Sequence, residues 1–160
     1  MKTKLTTLAL ACSVSIGLTS PILAASYKTG GTVCWTGDIE YLATTKKDMG
    51  WAWSLNFTYL SNSDDPAKNS SGRCLGSGGM VDGTPEASPF FCQVNYKDGA
   101  KHMVRGVGGA KSVEEIYYGG SGRLAGIAGT ASGDARIDLP AESGKIAGCR
   151  NVKGEFTLPE

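Results

Sequence analysis

The chain has 160 residues, with 16 Lys and Arg against 15 Asp and Glu, and 41% of it is hydrophobic. That length suits one domain, the charge balance excludes a strongly basic nucleic-acid binder or an acidic tail, and the hydrophobic fraction excludes a disordered chain. Glycine is the outlier at 23 of 160 residues, roughly twice average usage but without the Gly-X-Y period of a collagen.

Residues 1–25 read as a secretory signal. Lys2 and Lys4 supply the charged start, Leu5 to Leu18 is mostly apolar, and Thr19 to Ala25 ends in small residues, which predicts cleavage after Ala24 or Ala25. The apolar run is interrupted by Thr6, Thr7, Ser13 and Ser15, and it falls short of the ~20 residues a membrane span needs. A lipid anchor at Cys12 is a weaker alternative, because it would leave an apolar run of only about seven residues. Residues 26–160 then form a single domain, in which loss of Lys2 and Lys4 takes the 16 basic residues to 14 against 15 acidic ones. The expected location is secreted or periplasmic, with no stable membrane insertion and no nucleic-acid partner.

Without Cys12, four cysteines remain, Cys34, Cys74, Cys92 and Cys149, at spacings of 40, 18 and 57. An even count in an exported chain predicts disulfides. No Cys-x-x-Cys pair is present and His102 is the lone histidine, so neither a metal site nor a redox centre is expected. Cys74 and Cys92 face each other across a predicted hairpin near Asp82-Gly83-Thr84, which leaves Cys34 to pair with Cys149.

From the amino end, Val33, Trp35, Ile39 and Tyr41 share odd parity around Gly37, which suggests a strand with a bend or bulge. Trp51, Trp53, Leu55, Phe57 and Tyr59 alternate with small or polar residues, the period-two pattern of a strand with one apolar face. Phe90, Cys92, Val94 and Tyr96 repeat the pattern and run into Asp98-Gly99, a hairpin turn signal, with Lys101 to Val107 as the return strand. Val113–Tyr118, Ile127–Ser132, Ala135–Leu139 and Lys153–Leu158 are further strand-sized pieces. No stretch has a 3.6-residue apolar period. About eight strands at this spacing predict an all-β antiparallel sandwich or closed barrel.

The segment Tyr118-Gly119-Gly120-Ser121-Gly122-Arg123-Leu124-Ala125-Gly126-Ile127-Ala128-Gly129-Thr130 resembles the glycine-rich segment of the allene oxide cyclase barrel superfamily and, more distantly, of the dirigent proteins. Ser121 stands where that segment usually has Thr, and Leu124 where it usually has an aromatic residue. Cys92 with Asp98-Gly99-Ala100-Lys101, and Gly148-Cys149 with Gly154 to Pro159, are similar to segments of small exported bacterial members. The resemblance implies an eight-stranded antiparallel closed barrel, stapled here by disulfides. It assigns no catalytic residue and leaves the oligomeric state open. Its glycines read as a folding device at a barrel corner. A phosphate loop would need a helix after Gly122, and a strand-like segment follows instead.

Eight-stranded barrels either fill with their own side chains or hold one small ligand. Trp and Tyr combine an apolar ring with a polar atom, which makes Trp35, Trp51, Trp53, Tyr59, Tyr96 and Tyr118 the candidate contacts for a small apolar or aromatic molecule. No cofactor is expected. The candidate acids and bases are Asp38, Glu40, Glu114, Glu115, Asp138, Glu155 and His102. Glu40 has the outward parity of its strand, and His102 is expected to be exposed near a rim. The interior discriminates between three functions. Rings that close it favour a ligandless module, an open cavity holding a buried Glu or Asp favours a cofactor-independent isomerase or cyclase, and a shift of tryptophan emission on titration with fatty acids, phenolics or terpenoids separates binding from none.

Overall fold

A computed structural model describes residues 24–160; the predicted signal, including Cys12, lies outside the described residues apart from Ala24 and Ala25. The elements in chain order are β1 (Ala24–Ala43), β2 (Met49–Ser61), β3 (Ser70–Val81), β4 (Thr84–Pro85), β5 (Ser88–Asn95), β6 (Lys101–Gly108), β7 (Val113–Ser121), a single 3-10 turn (Gly122–Leu124), β8 (Ala128–Gly133), β9 (Ile137–Asp138) and β10 (Lys145–Pro159). Strands β1-β2-β3-β5-β6-β7-β8-β10 pair antiparallel in that order, and β10 pairs back onto β1. The result is a closed eight-stranded barrel, with β4 and β9 as short additions to β3 and β10.

Closure depends on the seam between the first and last strands. Ala24 pairs with Pro159 and the register runs unbroken to Asp38 opposite Lys145. Cys34 and Cys149 are direct partners in that register and form a disulfide across the seam on the barrel's outer side. Cys74 and Cys92 form the second disulfide, between β3 and β5, with both residues buried on the inner face. Both pairings are those expected from the sequence. β1 is longer than its predicted core, and the bulge suggested at Gly37 is absent because the register passes through it unshifted. The register shift lies between Lys101 and Met103 instead. Ala135–Leu139 contributes only the two residues of β9, since Arg136, at the turn end of that segment, bonds to the backbone of Ala110 rather than to a barrel strand.

The glycine excess has a specific use on the inner face. Trp51, Trp53 and Phe57 of β2 stand directly opposite Gly78, Gly76 and Gly72 of β3. Trp35 stands opposite Gly148, and Phe90 opposite Gly106. A Cβ on Gly78 would lie 2.6 Å from the Trp51 ring nitrogen, and one on Gly148 would lie 2.8 Å from Trp35. Each ring therefore lies flat over a neighbouring strand that has no side chain at that point.

One end of the barrel is sealed. The glycine-rich segment supplies the plug, with positive φ at Gly119, Gly122 and Gly126 letting the chain fold inward. Leu124 and Ile127 are buried there, alongside Ala67, Tyr96 and Phe156. Arg123 ties this end together. Its guanidinium lies 4.6 Å from the centre of the Tyr96 ring, pairs with Asp98 at 2.7 Å and donates to the Pro66 carbonyl. The opposite end is a rim on which Tyr41 and Leu42 are exposed.

Gly76→Ala would drive a methyl group into the Trp53 ring and is expected to cost about 1–3 kcal/mol. Gly50→Ala meets only the Gly78 carbonyl, at 3.9 Å, and is expected to stay within about 0.5 kcal/mol of the parent. Urea unfolding of the two variants checks the difference.

Candidate functional site

The lumen is a cavity of about 460 Å³, within the roughly 300–1,000 Å³ typical of small-molecule sites. Its walls differ in chemistry. Trp51, Trp53, Leu55, Phe57 and Tyr59 of β2, with Trp35 of β1 and Phe90 of β5, make an aromatic wall. In the circular order β7 lies four places from β2 in either direction, so its inward residues Val113, Glu115 and Tyr117 face that wall across the cavity. Lining residues from the turns, among them Glu86, Gly109, Ala110 and Arg136, belong to the rim end. The cavity therefore opens on the side opposite the glycine-rich plug.

A hydrogen-bonded cluster forms the floor. The Tyr59 hydroxyl lies 2.9 Å from Thr29 Oγ1, and the Tyr96 hydroxyl lies 3.2 Å from His102 Nδ1, with the donor set by the histidine tautomer. The His102 ring stacks on Tyr96 and meets Tyr117 edge-on at 5.5 Å between centres. His102 is the second residue of β6, just after the turn at the sealed end, where inward parity buries it to 4% exposure. This corrects the expectation of an exposed histidine near a rim. Burial without an acidic partner disfavours the charged ring and lowers its pKa from 6.5 to about 4. Burial likewise raises Tyr96 and Tyr117 well above the usual phenol range.

Two charged groups enter the lumen higher up. Glu115 keeps some surface on the cavity but is otherwise surrounded by protein, and this desolvation, partly offset by Arg150, raises its pKa from 4.5 to about 7. Arg150 is only 8% exposed. Its Nη2 donates to the Gly109 carbonyl at 3.0 Å, its guanidinium carbon lies 5.7 Å from the centre of the Trp35 ring, and its Nη1 is buried without a partner. No direct ion pair joins Glu115 and Arg150 among the described residues.

Of the six rings proposed from sequence, Trp35, Trp51, Trp53, Tyr59 and Tyr96 line the cavity. Tyr118 does not. It shares the outward parity of Glu114 and Ile116 on β7 and stands opposite Met103, where Arg105 lies over its ring at 5.9 Å. Among the candidate acids only Glu115 points inward; Asp38, Glu40, Glu114, Asp138 and Glu155 are exposed. Sequence reasoning passed over Arg150 and Gly133. Gly133 pairs with Val113 and Val152, and a Cβ there would press on the Arg150 stem at 3.0 Å.

No family model matches the chain, and no curated protein matches it in sequence. One solved structure, that of the pterocarpan synthase dirigent protein GePTS1, is similar over 86% of this chain and 94% of that one, with a TM-score of 0.53 and 10% identity. At that identity the likeness is one of fold, and it joins this barrel to the dirigent barrel at that level.

The two shifted groups oppose each other in stability. Unfolding lets His102 take up a proton between about pH 4 and 6.5, so its contribution rises with pH through that window. Folding lets Glu115 keep a proton between pH 4.5 and about 7, so its contribution falls with pH there. The parent should therefore change little in stability between about pH 4.5 and 6.5, where the two terms cancel. Glu115→Gln removes one term and should lose up to about 3 kcal/mol on acidification across the same range. Denaturant titrations at the two pH values measure it.

Proposed function

We propose that the protein is an exported barrel that binds one small apolar or aromatic molecule in its lumen. The observation that carries this reading is the cavity itself: its rings line about 460 Å³ of space rather than filling it. A ligandless module would need those rings to meet across the axis. Two disulfides suit an oxidising compartment.

A second reading, cofactor-independent isomerisation or cyclisation in the same cavity, is favoured by Glu115. A carboxyl group that faces an apolar lumen and titrates near neutrality is suited to accept or donate a proton. Binding is the step that both readings share.

Titration with fatty acids, phenolics and terpenoids should shift tryptophan emission, because Trp35, Trp51 and Trp53 all border the cavity. A bound molecule should also slow reduction of Cys74–Cys92, which lines the lumen, and leave Cys34–Cys149 on the outer side unaffected. Emission unchanged by every compound, with equal reduction rates with and without them, would overturn the reading.

A further inference from the structure

Arg150 is the one described side chain with a buried polar atom that finds no hydrogen-bond partner. A guanidinium withdrawn from water and only partly bonded is a costly arrangement, and a nearby anion relieves it. Glu115 is the carboxylate best placed to do so, yet it makes no ion pair with Arg150, and its own burial favours the protonated form. Arg136 and Asp138 pair with each other at 2.8 Å nearer the mouth. The polar wall of the lumen therefore holds a guanidinium with no carboxylate paired to it, opposite a wall of indole and phenyl rings.

We infer that the lumen selects a small aromatic monocarboxylate, with its carboxylate drawn to Arg150 and its ring system laid against Trp51, Trp53 and Phe90. This deepens the binding reading above and rests on it. The geometry is specific in four respects. Gly133 leaves room for the Arg150 stem, and the Gly109 carbonyl fixes one edge of the guanidinium. Trp35 covers it with a ring, which favours a cation and excludes water. The apolar wall offers flat faces that stack with another ring.

Glu115 makes the preference depend on pH. The other titratable groups around it are Tyr117 on its own strand, His102 from β6, Arg150 from β10, and Tyr59 and Tyr96 from β2 and β5; the inward residues of β8 are Gly129, Ala131 and Gly133. Around Arg150 stand Glu115, Arg136 and Asp138, and Glu86 lies at the mouth. Between about pH 6 and 8 His102 stays neutral and the buried tyrosines stay protonated, so Glu115 is the lumen group that changes charge. Its ionisation places a negative charge beside Arg150 and repels a second one.

Isothermal titration of the full barrel with 2-naphthoate and with 2-naphthamide, two probes of one shape and different charge, tests the inference. The acid should bind about ten- to a hundredfold tighter than the amide. Arg150→Met should abolish that preference and leave the amide's affinity within about threefold, while Arg150→Lys restores part of it. The acid's affinity in the parent should fall severalfold from about pH 6 to 8 and become flat in Glu115→Gln, an arm that does not require the Arg150 variants to fold. Equal binding of acid and amide overturns the role of Arg150 and leaves the lumen as a binding site for neutral molecules, and an acid affinity unchanged with pH overturns the role of Glu115. No heat from either probe, together with unchanged tryptophan emission, overturns both.

Discussion

The pairing of a large ring on one strand with a glycine on the next is the constraint on which this barrel depends. Inward side chains of a closed eight-stranded sheet compete for a narrow space. A Trp standing upright into the axis would fill it. Where the neighbouring strand offers Gly72, Gly76 or Gly78, the ring lies down against backbone instead. Burial of the indole is kept, and the axis stays open. The cost is the flexibility that glycine adds to a strand, and it is borne where the ring can shield the exposed backbone. The same arrangement at Trp35 over Gly148 and Phe90 over Gly106 extends it around the barrel.

That device accounts for a lumen whose two sides differ. Rings lie flat along β1, β2 and β5, while β7 and β10 send in Glu115, Tyr117 and Arg150. Below them, His102, Tyr96, Tyr59 and Thr29 form a largely neutral floor over the sealed end. The plug itself comes from the glycine-rich segment. Its positive-φ residues and the reach of Arg123 to Asp98 and Pro66 hold three loops together. The glycines of the motif therefore shape an end of the barrel, whereas those of β3 shape its interior.

Much of this was legible in the residues. Alternation at 51–59 and 90–96 identified two inner faces, the even cysteine count together with the hairpin between Cys74 and Cys92 indicated both disulfides, and the absence of a helical period left a barrel or sandwich. The limits had physical causes. In Val113 to Tyr118, adjacent Glu114 and Glu115 blur the alternation, so parity alone did not say which carboxyl enters. Tyr118 was misjudged because Ile116 and Tyr118 share one parity of β7 while Val113 and Tyr117 share the other, so both faces carry apolar residues. His102 was misjudged because a residue beside a turn can still be buried when the turn folds over a sealed end. Arg150 was accessible to reasoning: if the odd residues of β1 face inward, Cys34 and its partner Cys149 lie outside, and the residue after Cys149 must point in.

The seam between β1 and β10 bears on how the molecule is made. Its partners Cys34 and Cys149 are 115 positions apart, so the container has no inside until β10 has arrived. Contacts this distant form late. Until then the ridge from Trp51 to Tyr59 is a greasy strip bare to its surroundings, the kind of surface that invites clumping or the grip of a holding chaperone. Completion of the last strand is thus the event that turns a sticky hairpin array into a vessel.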